Sequence, residues 1–329
     1  MNFLLPITLP QPPVRIRHTD KILLLGSCFT EHISSRLAQG GFQIASNPQG
    51  ILFNPISTAQ ALENVRSNRQ WQEADLFPMH GLWNSWQHHS RFSHTDPQAA
   101  LADMNAATGA AASILPEARW ILITLGTSFQ YVLRESGQPV ANNHRAPGHY
   151  FEKQLLSTEA ILDAWQTLLQ TLFTEWPQIR VVFTVSPVRH ARDGAIANNR
   201  SKGRLLDAVH TLCELFPQKC LYFPAYELVV DVLRDYRFYD IDLIHPNHAA
   251  TSYVWEQFVA HWIAPEDVPL LEEMAALQTA RAHRSRFPET AAHKAFLTQM
   301  HAKAIALQAQ YPRLNLSEMI HYFGEGKEA

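Results

Sequence analysis

Three side chains near opposite ends of the chain have the types that a hydrolytic nucleophile and its base require. Ser27 follows the apolar run Lys21-Ile-Leu-Leu-Leu25 and Gly26, and it precedes Thr30–Gln39, in which Ile33 and Leu37 lie four apart. Strand, tight turn and helix is the expected local structure, with Gly40-Gly41 as the stop. Ser27 would then stand at the amino end of a helix, where free N–H groups and the helix dipole favour developing negative charge. A nucleophilic hydroxyl there has part of an oxyanion hole built in; the same serine could equally be a helix cap. Far along the chain comes Asp242-Leu-Ile-His245-Pro246-Asn247. Pro246 disfavours helical geometry at His245, so the Asp–His pair is expected in a loop. Asp242 could accept a hydrogen bond from His245 Nδ1–H and leave Nε2 for a third group, which is the orienter and base that a serine nucleophile needs. The alternative is a pair that merely caps the helix carrying Tyr253, Val254, Phe258 and Trp262. Cys28 is a second nucleophile to consider, since a thiolate at a helix N-terminus has a lowered pKa. If the turn exposes Ser27, however, the Cys28 side chain is expected to point back into the protein and pack.

Further clusters could recognise a substrate. Leu82 to Ser90 holds Trp83, Trp86, His88 and His89, a potential stacking wall or a loop with buried tryptophans. Asn142-Asn143-His144-Arg145, Arg189-His190-x-Arg192 and the stretch with Asn199, Arg200 and Lys202 carry the cationic and amide donors that a carboxylate or phosphate would use. A solvated or salt-bridged face is the plainer reading of these. The 17 histidines raise metal binding, with His88, His89, His94, Asp242 and His245 as conceivable ligands. No HExxH, CxxC or HxH occurs, and adjacent His88 and His89 cannot easily face one ion, so no metal is expected.

The elements that must position these groups alternate. Short strands are expected at Phe42 to Ala45, Trp120 to Leu125, Arg180 to Val185 and Cys220 to Phe223, with helices over Thr158 to Trp176 and Leu205 to Phe216. Such alternation implies an α/β domain with a parallel sheet and helices on both faces. Ligands in such sheets bind beyond the carboxyl ends of the strands, where Ser27 falls. After Trp262 no strand-like run occurs. Leu270, Leu271, Met274 and Leu277, then Phe296, Leu297 and Met300, recur at helical spacing, so residues 265–329 are expected as a helical extension on a domain of residues 1–264. Its apolar stripes would pack on the sheet domain or on a second copy of the chain, making a homo-oligomer.

Over 329 residues, 46% hydrophobic and 17% charged residues suffice for a large core and exclude a disordered or collagen-like chain. A net charge of −3 argues against a broad nucleic-acid or anionic-membrane surface. No eighteen-residue apolar run suggests a membrane span. The three cysteines, Cys28, Cys213 and Cys220, form no CxxC pair, and the proline-interrupted start carries no signal pattern, so a reducing cytoplasm is expected.

Taken together, Gly26-Ser27-Cys28-Phe29, Ile123-Thr-Leu-Gly126-Thr127-Ser128 and Asp242-x-x-His245-Pro246 resemble the blocks of the SGNH, or GDSL-type, hydrolases. More narrowly, Gly-Ser-Cys-Phe followed by Asn47-Pro-x-Gly50-Ile-Leu-Phe-Asn54-Pro resembles the GSCFA family, over about residues 20 to 262. The resemblance implies a three-layer flavodoxin-like fold, with Ser27 as nucleophile, His245 as general base, Asp242 as its orienter, and no cofactor. It implies an oxyanion hole from the Ser27 backbone and the second-block glycine, for which Gly50 stands ahead of Gly81. The third block departs, because Ser128 occupies the place of an asparagine. Either Ser128 reaches the oxyanion, or Asn54 or Asn143 substitutes, or backbone N–H groups dominate; loss of one donor can cost ~10²–10³ in rate. The expected reaction is hydrolysis of an acyl ester through an acyl-enzyme, of a small molecule or an O-acylated carbohydrate held by Trp83, Trp86, His89, His144, Arg189 and His190. A non-catalytic binding protein on this scaffold and a His/Asp metal-dependent hydrolase are the rivals.

Overall fold

The computed structural model of the protein describes residue 5 and residues 7–325. The chain divides into two compact units: one holds the residues up to Ser34 with Gln43–Ile263, the other Ser35–Phe42 with the residues from Ala264 onward.

The first unit is built on five parallel strands: β1 (Lys21–Gly26), β2 (Gln43–Ser46), β5 (Ala118–Leu125), β9 (Arg180–Val185) and β10 (Cys220–Tyr222). Their spatial order is β10-β9-β5-β1-β2, which is the 2-1-3-4-5 order of a flavodoxin-like sheet. Near-continuous apolar runs form β1, β5 and β9 because both of their faces are covered, while the edge strand β2 is shorter and more polar. Leu23, Leu25, Ile121, Ile123, Val181 and Phe183 point to one face, in the core shared with α2 (Pro55–Arg66), α3 (Pro97–Ile114), α4 (Thr158–Glu175) and α5 (Gly194–Leu215). Their alternates Leu24, Leu122 and Val182 meet Phe29 and Ile33 of α1 (Cys28–Gln39) and Phe258 of α7 (His248–Trp262) on the other. An α-helical turn, α6 (Ala225–Glu227), continues into π-helical turns over Leu228–Leu233.

Two small antiparallel sheets interrupt this frame. A hairpin pairs β3 (Phe77–Met79) with β4 (Leu82–Asn84), turning on His80 and Gly81, both at positive φ. Between β5 and α4, β6 (Phe129–Leu133) pairs with both β7 (Pro139–Val140) and β8 (Phe151–Leu155). The helix expected from Leu205 in fact begins at Gly194, and the first strand after α1 runs from Gln43 rather than Phe42.

In the second unit, α8 (Val268–Ala282), α9 (Ala291–Gln310) and α10 (Ser317–Glu325) bury Leu270, Met274, Leu277, Leu297, Leu307 and Phe323 in one cluster. The apolar stripes of the tail therefore cover one another. Among the described residues, no helix is long and apolar enough to cross a membrane.

Candidate active site

The β1–α1 turn is held by a backbone that only glycine permits. Gly26 has φ +135°, and a Cβ there would lie 2.2 Å from the Thr124 carbonyl oxygen of the neighbouring strand. Its N–H donates to Asn47 Oδ1 (2.9 Å), its carbonyl accepts from Leu52 N–H (2.9 Å), and Ser27 N–H donates to Thr124 O (3.1 Å). Ser27 is thus pinned at the junction of β1 and β5, and 2% of its surface is exposed. Its Oγ is buried and has no hydrogen-bond partner. Cys28 is the half-buried one, and it is Cys28 that lines a cavity of about 420 Å³. The expected orientations of the two residues are therefore exchanged. Burial, with a smaller contribution from Glu31, raises the Cys28 thiol above its ordinary pKa, so the helix N-terminus does not leave a thiolate here.

The second loop supplies the imidazole. His245 Nδ1 lies 2.6 Å from Asp242 Oδ2, while Asp242 Oδ1 accepts the backbone N–H groups of Ile244 (2.9 Å) and His245 (3.0 Å). The His245 ring first, and then these N–H groups, hold the carboxyl well below its ordinary range, at about 2. Leu243 at φ +57° and the Asp240 N–H to His245 O bond (2.8 Å) make the turn tight. Neither Asp242 nor His245 caps the next helix. That is done by Asn247, whose side chain accepts from Ala250 N–H. With Nδ1 occupied, His245 keeps Nε2 free, and the residue lines the same cavity as Cys28. Two loops more than two hundred residues apart meet at one opening beyond the carboxyl ends of the strands. No hydrogen bond joins Ser27 Oγ to His245 in this conformation.

The other expected site residues divide. Asn54, Asn143, Arg189 and His190 line the cavity. Asn54 also caps α2, accepting from Ser57 N–H (2.8 Å) and donating to Ser57 Oγ (2.9 Å). Three expected oxyanion donors are spent elsewhere. Ser27 N–H is bonded as above, Gly50 N–H donates to Asn47 O (2.7 Å), and Ser128, fully buried, donates its Oγ–H to Ser201 O (3.1 Å). What Gly50 provides is room, since a Cβ there would sit 2.2 Å from His89 Cβ. Gly81 serves the hairpin turn.

The expected tryptophan and histidine wall does not form around the cavity. Trp83, Trp86, His89 and His144 do not line the cavity. Trp86 stacks on Phe77 (ring centroids 3.7 Å apart) and packs beside Phe151, while Trp83 is bridged to His94. His144 is buried with Nε2 2.8 Å from Ser85 O, and His89 Nδ1 accepts from Arg91 N–H. Trp86 still matters indirectly, because its carbonyl accepts Ala141 N–H (2.8 Å) and so holds the cavity-lining loop of Asn142 and Asn143. His88 Nδ1 pairs with Ser85 Oγ and His94 Nδ1 with Asp96 N–H, so the His88, His89 and His94 donors are separately committed. Among the described residues, no group of three or more His, Cys, Asp or Glu is placed to hold a metal ion.

One positioning device was not legible as such. The first half of α5 turns Asn198, Ser201 and Lys202 inward, and each fixes a different loop of the site. Asn198 Oδ1 accepts His190 N–H (2.9 Å), and Ser201 Oγ accepts Ser128 N–H (2.8 Å). Lys202, expected in a solvated basic face, is 1% exposed and donates to Gly126 O (2.5 Å) and Ser186 O (2.6 Å), at the ends of β5 and β9. Burial pushes its ammonium down to about 7, and burial together with Lys202 pushes His190 down to about 4. Between pH 7 and the ordinary lysine value of 10.5, the unfolded chain carries a Lys202 proton that the folded one has lost. Stability from this group therefore rises with pH across that window, by at most ~1.4 kcal/mol per pH unit. Lys202→Met is expected to flatten that rise in urea midpoints measured from pH 7 to 10; an unchanged slope would contradict it.

No curated protein matches the chain. Among solved structures it is similar to a carbohydrate esterase family 3 protein from Talaromyces cellulolyticus, at 11% identity and a TM-score of 0.33 over 78% of this chain and 99% of that one. It is also similar to an acetyl esterase mutant with an acetate ion (11%, TM-score 0.34, 78% and 99%). A third is an acetyl xylan esterase from Butyrivibrio proteoclasticus (11%, TM-score 0.36, 75% and 64%). Residues 274–326 match the C-terminal domain of GSCFA domain proteins. Residues 21–258, well over half of the sequence and including both the Ser27 turn and the Asp242–His245 loop, match the GSCFA family, and the chain belongs to that family.

Proposed function

We propose that the protein is a serine esterase that cleaves an acyl ester through an acyl-enzyme on Ser27. The observation that carries this reading is the convergence of the β1–α1 turn and the Asp242–His245 loop on one cavity, with the imidazole held at Nδ1 and free at Nε2. Ser27 Oγ attacks the acyl carbonyl carbon as its proton passes to His245 Nε2. The imidazolium then protonates the departing alkoxide, and water repeats the sequence to release the acid. Asp242 stays ionised, fixes the tautomer and stabilises the imidazolium. The oxyanion falls to the Cys28 and Phe29 N–H groups at the start of α1 and to the Asn54 amide.

The orphaned Ser27 hydroxyl supports this assignment, because an unpartnered buried hydroxyl costs about 1–3 kcal/mol and a helix-capping role would have satisfied it. The mechanism requires the Ser27 side chain to turn toward the cavity. A second reading has its own observation: Cys28 faces the cavity already. Its raised pKa leaves it a thiol at neutral pH, which disfavours it as the nucleophile.

The test is labelling of the intact protein with a fluorophosphonate, with and without a metal chelator. Covalent labelling that is indifferent to chelation is expected. No labelling would favour a non-catalytic binding protein, and activity lost on chelation would favour a metal-dependent hydrolase.

A further inference from the structure

We infer that the cavity recognises an anionic group, a carboxylate or a phosphate, carried on the same molecule as the ester; as a statement about substrate class it rests on the esterase reading above. Hydrogen-bonding and charged groups are unbalanced in the cavity lining. Arg189 and Arg192 both line the cavity, and neither guanidinium has a carboxylate partner among the described residues. Arg189 is stacked on Tyr239 and Tyr236, 4.6 and 5.2 Å from the ring centroids, so its face is covered by aromatic rings while its edge donors stay available. Asp193 is the carboxylate of the cavity lining, and it is already engaged by Lys153; Asp242, behind His245, is engaged by the imidazole.

Two amides of the same lining present donors as well. Asn142 Oδ1 accepts His144 N–H (2.9 Å) and Asn143 Oδ1 accepts Arg145 N–H (3.3 Å). Their acceptor oxygens are thereby occupied by backbone, and the amide N–H groups are what remain for a ligand. The lining thus offers two planar guanidinium forks and two amide donors, with no free carboxylate among the described residues to compete. The chain as a whole is acidic, with a net charge of −3, so this concentration of positive charge is local to the cavity. A concave site of that sign focuses field lines and draws in an oxyanion, and guanidinium forks match carboxylate and phosphate geometry.

Equilibrium binding of non-hydrolysable amides tests the inference without requiring turnover. The probes are para-acetamidobenzoate, para-acetamidophenyl phosphate and the neutral para-acetamidobenzamide, titrated calorimetrically into the full chain. At least one anion is expected to bind about tenfold or more tightly than the neutral amide, with the margin shrinking as salt is raised. Whichever anion binds tighter identifies the source of the charge. Arg192→Gln, at an exposed position, is expected to remove most of that margin and leave the neutral probe unaffected; Arg189→Gln is the second variant. Equal binding of all three probes, binding by none, or a margin that survives both substitutions would overturn the inference. Preference for anions without fluorophosphonate labelling would remove the esterase reading and leave the anion site standing. Labelling without preference would do the reverse.

Discussion

Replacing Ser27 by alanine is expected to lower kcat/KM for an aryl acetate by ~10⁴-fold or more, to the level left by binding and oxyanion contacts alone. The loss should come without unfolding. Ser27 Oγ has no hydrogen-bond partner, so its removal leaves no other group unsatisfied and deletes a buried orphan. Stability is expected to be unchanged or to rise by up to about 1 kcal/mol. Cys28→Ala is the matched control, since its thiol sits one residue away on the cavity wall. That variant should keep kcat/KM within about tenfold of the parent, because it removes contact area and no reacting atom. Steady-state kinetics on both variants, with melting curves alongside, decides the assignment. Activity that survives at Ser27→Ala and disappears at Cys28→Ala would make the thiol the nucleophile.

Asp242→Asn is expected to cost ~10³–10⁴ in kcat with little change in KM. The substitution nearly preserves shape, and its Oδ1 can still accept the N–H groups of Ile244 and His245 that define the turn. What changes is the atom facing the imidazole. An amide NH₂ at the present Oδ2 position donates to His245 Nδ1 and drives the hydrogen to Nε2, the atom that accepts the serine proton in the proposed mechanism. The parent carboxyl, held at about 2, stays ionised throughout the neutral range and favours the hydrogen on Nδ1, the tautomer the proposed mechanism uses. A full kinetic constant in Asp242→Asn would show that the 2.6 Å contact is structural only.

Much of the fold was legible because buried parallel strands are written as apolar runs, and β1, β5 and β9 read directly as such. The candidate residues were legible for a different reason: a serine after the first strand and an Asp-x-x-His-Pro loop are chemical statements that survive without coordinates. The first half of α5 was not legible. Its inward positions 198, 201, 202, 205, 208, 209 and 212 keep helical spacing, but the first three are Asn198, Ser201 and Lys202, which a hydrophobicity pattern reads as loop. Those polar residues are inward because they bond loop carbonyls and N–H groups around the site. The β6–β7–β8 sheet was missed because its strands are two to five residues long and partly exposed. The relation of Ser27 to Cys28 followed from nothing in the letters alone. Which of two adjacent side chains faces the cavity is set by the Gly26 turn, which at φ +135° runs so close to the Thr124 carbonyl that no side chain fits. Trp83 and Trp86 looked like a stacking wall because exposed and packed tryptophans have the same letter, and Phe77 and Phe151 claim Trp86.

The central claim is that the Ser27 hydroxyl is the atom that becomes acylated. Its most direct test is peptide mapping by mass spectrometry of the fluorophosphonate-treated protein. A single phosphonyl adduct is expected on the peptide carrying Gly26-Ser27-Cys28-Phe29, with fragment ions placing it on Ser27. An adduct on Cys28, or on any residue outside that turn, would contradict it.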